Sequence, residues 1–319
     1  MSGIGINLKR IRLLKNLSLN EAGKLLNMTA TAVSKYEKGE IIPDSKKLID
    51  FANAYNVNSI DLLKVYNAPK MKFNSFRKRK RLVGKNLELL ENLIQDEVAK
   101  YLEVIELNNT VLQSIKLKKY LCNSLEDAEN AANDFRNFIK ISNKQPISDL
   151  TNIFENLGIV IIHIKNPDER FTIAHELGHL LLNIKDEELD EEKLCNRFAS
   201  ALLMPKEAVI NEFGSSRNHI NFFELTAFKF EFKVSYTAIA YRLKDLNIIS
   251  DYFYKNLSIY LSQRIGKNDS NPIQPETSYQ FKKIVYKLEA DEIISISKAC
   301  ELLGVSIDEY NKEDNNYWY

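Results

Sequence analysis

The segment His175-Glu176-Leu177-Gly178-His179 constrains the fold of this chain more than any other feature. Two histidines four residues apart lie on the same face of an α-helix, so both imidazoles can reach one metal ion if the segment is helical. Asn166 and Pro167 supply an N-cap and a first-position proline for such a helix. The pattern therefore predicts a metal-binding helix from Phe171 to about Leu182.

The residues around the two histidines suit hydrolytic chemistry. Glu176 follows the first histidine, where its carboxylate can accept a proton from water. Gly178 allows close packing beneath the site. A third ligand must come from elsewhere, and the next predicted helix, which starts near Glu187 and ends before Pro205, offers three acids: Glu188, Glu191 and Glu192.

Helical periodicity does not choose among these acids. Glu192 and Asn196 share one face of the downstream helix, whereas Glu191 and Cys195 share the neighbouring face. A metal ion could be completed from either face on spacing alone.

Two stretches resemble the motifs of the ImmA/IrrE metallopeptidases: Arg-Phe-Thr-Ile-Ala-His-Glu-Leu-Gly-His-Leu-Leu-Leu over 170–182, and Glu-x-x-x-Asn-Arg-Phe-Ala-Ser-Ala-Leu-Leu-Met-Pro over 192–205. The resemblance implies a zincin-like domain with a small sheet. It also implies a Zn2+ cofactor held by His175, His179 and Glu192, with Glu176 as the catalytic base.

The same resemblance assigns Asn196 a hydrogen bond to a ligand histidine, which would orient the imidazole. Cys195 stands where the family usually has alanine, so a thiol beside the zinc and a small buried side chain are both open. Candidates for stabilising an oxyanion are His219, Tyr241 and Arg242, each of which also has a structural interpretation.

The likeness to this family extends over most of the chain, including 125–138, 234–246 and 294–305, but it departs in one place. Only Lys165 and Asn166 separate a predicted strand, Ile159–Ile164, from the zinc helix, whereas the family usually has another strand or hairpin there. An edge strand of that sheet pairs with the substrate in such peptidases. Peptide cleavage therefore depends on how this region folds.

The N-terminal part predicts five short helices: Ile6–Lys15, a helix capped by Ser18 and ending near Leu26, Ala30–Lys38 capped by Thr29, Ser45–Tyr55, and Ile60–Tyr66. Two short helices joined by a three- or four-residue turn form a helix-turn-helix unit. The pattern Leu-Ser-x-x-Glu-Ala-x-x-Leu over 17–25, followed by Thr-Ala-Val-Ser-x-Tyr-Glu-x-Gly over 31–39, resembles the Xre/Cro/cI-type repressor domain.

This second resemblance implies that the third helix enters the major groove of a double-stranded DNA operator. The residues expected at the DNA are Thr29, Ala30, Thr31, Ser34, Lys35 and Lys38. Lys35 and Lys38 should mainly contact phosphates. Leu19 departs from the family pattern, because it stands where a glutamine usually ties the second helix to the DNA backbone.

Charge supports a polyanionic partner for the first part of the chain. Residues 1–85 hold 18 lysines and arginines against 6 acids, a net charge of +12, whereas the remainder holds 26 against 37, a net charge of −11. The run Arg77–Arg81 predicts a linker or an exposed helix start. An amphipathic helix from Asn86 is expected to connect the domains and pack on the second one.

These patterns give a mainly α (α+β) chain. The expected segments are a helix-turn-helix domain (1–68), a basic linker and connecting helix (69–120), a zinc metallopeptidase domain (121–210) and a helical C-terminal region with a helix-turn-helix-like segment (211–319). No apolar run is long enough to span a membrane, the start lacks a signal-peptide pattern, and the three cysteines are far apart. A cytoplasmic location is therefore expected.

Together these features predict a DNA-binding transcriptional regulator with a zinc-dependent endopeptidase. The expected protein substrate is a helix-turn-helix repressor or antitoxin-like partner, or the chain itself, and a second copy of the chain is a candidate partner. The alternative is a non-catalytic transcription factor whose zinc domain is a sensor or a structural module. A third interpretation, which rests on the family resemblance, is the antitoxin half or the single-gene part of a mobile-element system.

Overall fold

A computed structural model describes residues 3–15, 17–63, 85–109, 117–161, 169–186, 188–265, 273, 276 and 278–315. In chain order its elements are α1 (Gly3–Leu14), α2 (Leu19–Leu25), α3 (Ala30–Glu37), α4 (Ser45–Tyr55), α5 (Ser59–Leu63), α6 (Lys85–Leu107), β1 (Tyr120–Leu121), α7 (Leu125–Phe138), α8 (Leu150–Asn156), α9 (Glu169–Leu181), β2 (Leu182–Asn183), α10 (Glu191–Leu203), α11 (Lys206–Phe213), α12 (Phe222–Phe232), α13 (Tyr236–Asp245), α14 (Asp251–Ile265), α15 (Tyr279–Ala290), α16 (Ile296–Leu303) and α17 (Ile307–Asn315). The chain is mainly helical, as predicted.

The chain divides into two compact units, and the first comprises residues 1–111 and 283–319. In it, α1 to α5 surround a core of buried apolar side chains: Leu8, Ile11, Ala22, Leu26, Val33, Phe51, Ala52, Tyr55 and Leu62. The five predicted N-terminal helices are all present in the described residues. The last of them is described only to Leu63, and residues 64–84, with the Arg77–Arg81 run, lie outside the description.

Short-range signals explain where these helices begin. Ser18 accepts a hydrogen bond from the backbone N–H of Glu21, whose carboxylate accepts one from the Ser18 N–H in return, so the predicted cap is a complete capping box. Thr29 caps α3 with a single hydrogen bond, since its hydroxyl oxygen accepts from the backbone N–H of Ala32. Gly23 is required at the turn, because a Cβ there would lie 2.6 Å from the carbonyl oxygen of Met28.

A buried ion pair joins the first helix to the third. Arg12 donates from Nε to one oxygen of Glu37 at 2.5 Å and from Nη2 to the other at 3.0 Å, and both residues are buried. Arg12 also donates to the carbonyl oxygen of Leu17 at 2.7 Å, just before α2. This arginine therefore holds the three helices of the helix-turn-helix region in one arrangement.

The placement of α6 differs from the expectation that it packs on the second domain. It contacts α1 within the first unit, where Arg10 pairs with Asp96. Residues 283–319 also belong to this unit rather than to one C-terminal region starting at 211, and Lys298 of α16 pairs with Glu103 of α6 at 2.7 Å. An amphipathic pattern predicts that a helix has a buried face, but it does not say which surface covers that face.

The second unit, residues 112–282, is built on α7, α9 and α10. Its described strands form one parallel pair, with Tyr120 opposite Leu182 and Leu121 opposite Asn183. A small sheet was predicted, but at Ile159–Ile164. Residues 159–161 are not in a strand, and residues 162–168, which include His163 and the predicted helix cap, lie outside the described residues.

A charged cluster under the surface ties three helices of this unit together. Arg242 of α13, which is fully buried, donates to both oxygens of Glu129 of α7 at 2.5 and 2.8 Å. Arg197 of α10 approaches the same carboxylate at 2.6 Å. Burial alone would raise the pKa of Glu129, but the hydrogen bonds and charges of the two arginines hold it below its ordinary value. The cluster fixes α10, the helix that carries the candidate third ligand.

None of the helices in the described ranges combines the length and the apolar character needed to cross a membrane.

Candidate metal centre and DNA-binding face

The helix α9, which carries both histidines of the 175–179 segment, is anchored at each end. At its start, buried Arg170 donates to the carbonyl oxygen of Ile147 at 2.8 Å and pairs with Glu276. Burial lowers the pKa of Arg170 to about 10, so it stays protonated at neutral pH. At its end, α9 runs directly into β2, which is paired with β1.

Glu276 links this anchor to a second helix. Its other carboxylate oxygen accepts hydrogen bonds from the backbone N–H groups of Leu150 and Thr151, at 2.9 Å each, where α8 begins. Sequence analysis did not single out Glu276, since no local pattern connects it with residues more than a hundred positions earlier.

The candidate third ligand is carried by α10, which is capped by Asp190 and packs against α9. The close approach occurs at Gly178, where a Cβ would lie 3.2 Å from both Cα and Cβ of Cys195. The prediction that Gly178 permits close packing beneath the histidines is confirmed. This contact determines how near the side chains of α10 come to the two imidazoles.

Three side chains from these helices converge on one point. The Nε2 atoms of His175 and His179 are 3.1 Å apart. Oε2 of Glu192 lies 3.5 Å from Nε2 of His175, and Oε1 lies 3.6 Å from Nε2 of His179. His175 is only 1% exposed, whereas the side chain of Glu192 is 50% exposed, so the site opens to solvent on the α10 side.

These distances suit a zinc ion. Tetrahedral coordination with bonds of about 2.0–2.1 Å puts neighbouring ligand atoms about 3.3–3.4 Å apart. The three measured separations lie on either side of that value. With three protein ligands, a fourth position remains for water or substrate, which is the pattern of catalytic rather than structural zinc sites.

The other ring nitrogen of His179 faces a different pair of residues. Glu191 lies 2.8 Å from Nδ1 and Cys195 Sγ lies 3.5 Å from it. When Nδ1–H donates to Glu191, the lone pair is on Nε2, the atom that faces the candidate metal. Asn196, expected to make such a bond, is half-buried on the next turn of α10. At His179 the partner of Nδ1 is Glu191.

Cys195 is fully buried beneath Gly178, and Glu176 is exposed. Burial, followed by the nearby charges of Glu191 and Glu192, raises the pKa of the Cys195 thiol to about 12. The burial of Cys195 agrees with a small packed side chain, and the 3.5 Å between its sulfur and Nδ1 of His179 agrees with a thiol beside the metal centre, so the structure fits both alternatives. Glu176 lies on the solvent side of α9 beside His175.

The three candidates for stabilising an oxyanion are placed differently. Arg242 is enclosed in the ion pairs with Glu129, so it cannot reach a substrate at the surface, and its structural interpretation is the one that fits. Tyr241 is 45% exposed and its ring meets Tyr254 edge to face. His219 is exposed in the segment between α11 and α12.

In the first unit, α3 presents the polar face expected at DNA. Lys35, Lys38 and Thr31 are exposed, whereas Val33 and Glu37 on the opposite face are buried. Thr29 is exposed at the cap, and the remaining predicted contacts, Ala30 and Ser34, are partly exposed. Leu19, at the family's glutamine position, packs against the domain core.

Comparison with known protein families gives two matches. A helix-turn-helix family matches residues 8–62, and a peptidase family described as an IrrE N-terminal-like domain matches residues 156–244. The second match covers α9, α10 and their close contact, and it continues beyond residue 210, the expected end of this domain. No curated protein and no solved structure matches the chain. The chain therefore joins an N-terminal helix-turn-helix domain of the Xre type to an IrrE N-terminal-like domain of a metallopeptidase family.

Proposed function

We propose that this chain is a DNA-binding regulator whose second domain is a zinc-dependent endopeptidase acting on a protein partner. The observation that carries the proposal is the convergence of His175, His179 and Glu192 with distances suited to zinc, next to the exposed carboxylate of Glu176. The two family matches support the same combination of functions.

The proposed chemistry assigns each residue near the metal one task. Zinc held by the three ligands would polarise the scissile carbonyl and lower the pKa of a water molecule to about 7. Glu176 accepts the proton of that water on a carboxylate oxygen and then delivers it to the nitrogen of the leaving amine. Glu191 keeps the Nδ1–H tautomer of His179 through the 2.8 Å hydrogen bond.

The proposed substrate is a helix-turn-helix repressor or an antitoxin-like protein, or another copy of this chain, bound as an extended segment. Among the described residues the sheet beside α9 has two strands, so β1 and β2 each keep one unpaired edge. An extended peptide can add to such an edge through backbone hydrogen bonds. The exposed polar face of α3 supports operator binding by the first domain, mainly through phosphate contacts of Lys35 and Lys38.

Cleavage assays with matched variants test this proposal. Zinc-loaded protein is incubated with candidate repressors and with itself, and fragments are identified by mass spectrometry. Glu176→Gln should abolish the fragments, whereas Glu188→Gln, the same change at another exposed acid in the segment before α10, should leave them. The absence of zinc-dependent fragments from every partner and from the chain itself would contradict an endopeptidase.

One observation favours the non-catalytic alternative. The described strands contain two residues each, which is a short platform for an extended peptide. In that case zinc would stabilise the second domain, and operator binding would be the whole activity. Operator affinity unchanged by Glu176→Gln, together with loss of folded second domain on zinc removal and no cleavage, would support this alternative.

A further inference from the structure

His179 has a second cluster of potential metal ligands on the ring edge opposite the zinc site. Its Nδ1 atom lies 2.8 Å from Oε1 of Glu191 and 3.5 Å from Sγ of Cys195. Glu191 and Cys195 are four residues apart on α10, so they project from the same face of that helix. One ligand atom from each of the three residues lies within 4.8 Å of the other two.

The composition of this cluster and the spacing of its sulfur and nitrogen atoms suit a thiophilic cation, and the carboxylate of Glu191, which is exposed, can move from its hydrogen bond to a ligand position. A tetrahedral ion with a sulfur bond of about 2.3 Å and a nitrogen bond of about 2.0–2.1 Å places those two ligands about 3.5 Å apart. The measured distance between Sγ and Nδ1 is 3.5 Å. Thiolate and imidazole together favour Zn2+, Co2+ or Cd2+ over Mg2+ or Ca2+. We propose that His179 Nδ1, Glu191 and Cys195 form a second metal site, which excludes metal from the first.

The exclusion follows from the single lone pair of a neutral imidazole. In the zinc-competent state, Nδ1–H donates to Glu191 and Nε2 carries the lone pair. A cation at the second site needs the lone pair on Nδ1, so the ring proton moves to Nε2, and the thiol of Cys195 releases one proton to solvent. His179 then donates from Nε2 and can no longer ligate the first metal.

Access to the cluster comes from the exposed end of α10. The Glu191 side chain is 60% exposed and the His179 side chain 14%, whereas Cys195 is closed off beneath Gly178. A cation can therefore be captured first by the carboxylate and the imidazole. The consequence would be one ion per chain that divides between the two sites, with a larger share at the second site for a more thiophilic metal. This inference does not depend on peptidase activity.

Cobalt titration of the full-length metal-free protein tests the inference, because thiolate ligation produces an intense near-ultraviolet sulfur-to-cobalt charge-transfer band that nitrogen and oxygen ligands do not. Glu192→Gln removes a ligand of the first site at an exposed position and leaves the second site complete. Because one ion can occupy either site but not both, its division between the two sites does not depend on the Co2+ concentration. We expect wild type to bind one Co2+ in total, with a weaker band than Glu192→Gln, in which only the second site is complete. We expect the band to be lost in Cys195→Ala.

Cys122→Ser controls for the other cysteine near the site, and the band should persist in that variant. A charge-transfer band that is missing from both wild type and Glu192→Gln, or one that survives Cys195→Ala, would overturn the second site. Two Co2+ ions bound together with the band present would overturn the exclusion. The first site would fail separately, if wild type and Glu192→Gln bound Co2+ with the same affinity and the same spectrum.

Discussion

Glu191 and Glu192 are adjacent acids that contact opposite edges of the same imidazole, so they form a natural matched pair for mutation. Their side chains are 60% and 50% exposed, and replacing either by glutamine is the same chemical change on the same helix. Any effect on the stability of α10 should therefore be similar for the two variants. We expect their effects on zinc affinity to differ because only Glu192 faces the Nε2 atoms.

The expected magnitudes follow from these positions. Structural zinc sites bind with about 10–16 kcal/mol through four ligands, or about 3 kcal/mol for each ligand, so losing the Glu192 carboxylate should weaken zinc binding roughly 100-fold or more. Losing a residue that only orients a ligand histidine typically costs 10–100-fold. Because Glu191 is more than half exposed, water can replace much of its hydrogen bond, and we expect about tenfold for Glu191→Gln.

Competition with a chromophoric chelator at neutral pH measures both affinities, and zinc is kept below one equivalent so that only the stronger site fills. Circular dichroism confirms that both variants are folded. Equal losses for the two variants would refute the assignment of Glu192 as the ligand. A larger loss for Glu191→Gln would mean that zinc prefers the Nδ1 side of His179, where Cys195 lies.

Three further predictions address packing, pH and DNA. Gly178→Ala should lower the free energy of unfolding of the second unit by up to about 2 kcal/mol, because the new methyl group would lie 3.2 Å from the Cα of Cys195. This overpacking should exceed the gain in helix propensity. A higher free energy of unfolding in urea denaturation would contradict the prediction. Because folding lowers the pKa of Glu129, its carboxylate stabilises the folded state fully above the ordinary glutamate pKa of about 4.3, and this stabilisation is lost as the pH falls through the lower pKa of the folded state. Glu129→Gln should therefore remove this part of the fall in melting temperature at acidic pH. Lys35→Ala should weaken DNA binding by the same factor for different DNA sequences. It should also reduce the slope of log K against the logarithm of the salt concentration by about one, as measured by fluorescence anisotropy. An unchanged slope would exclude a phosphate contact.

The parts of the fold that were predictable from sequence are those that depend on neighbours along the chain. Ser18 and Thr29 cap helices because their hydroxyls reach N–H groups three residues later. His175 and His179 meet because they are one helical turn apart. The choice of Glu192 over Glu191 required the family resemblance, since the two acids are adjacent and only the packing of α10 on α9 decides which one faces the Nε2 atoms.

The parts that were missed depend on contacts between distant residues. The strands β1 and β2 have two residues each, too few to show any alternation. Glu276 anchors α9 through a pair with Arg170, which is 106 positions away in sequence. The association of α6 with the first unit was missed for a similar reason, because an apolar face carries no record of its partner.

X-ray absorption at the zinc K-edge on protein carrying one equivalent of zinc tests the central claim most directly. If His175, His179 and Glu192 hold the ion, the spectrum will show two imidazole ligands and oxygen neighbours at about 2.0–2.1 Å, with no sulfur. A sulfur neighbour at about 2.3 Å, or fewer than two imidazoles, would contradict this metal centre.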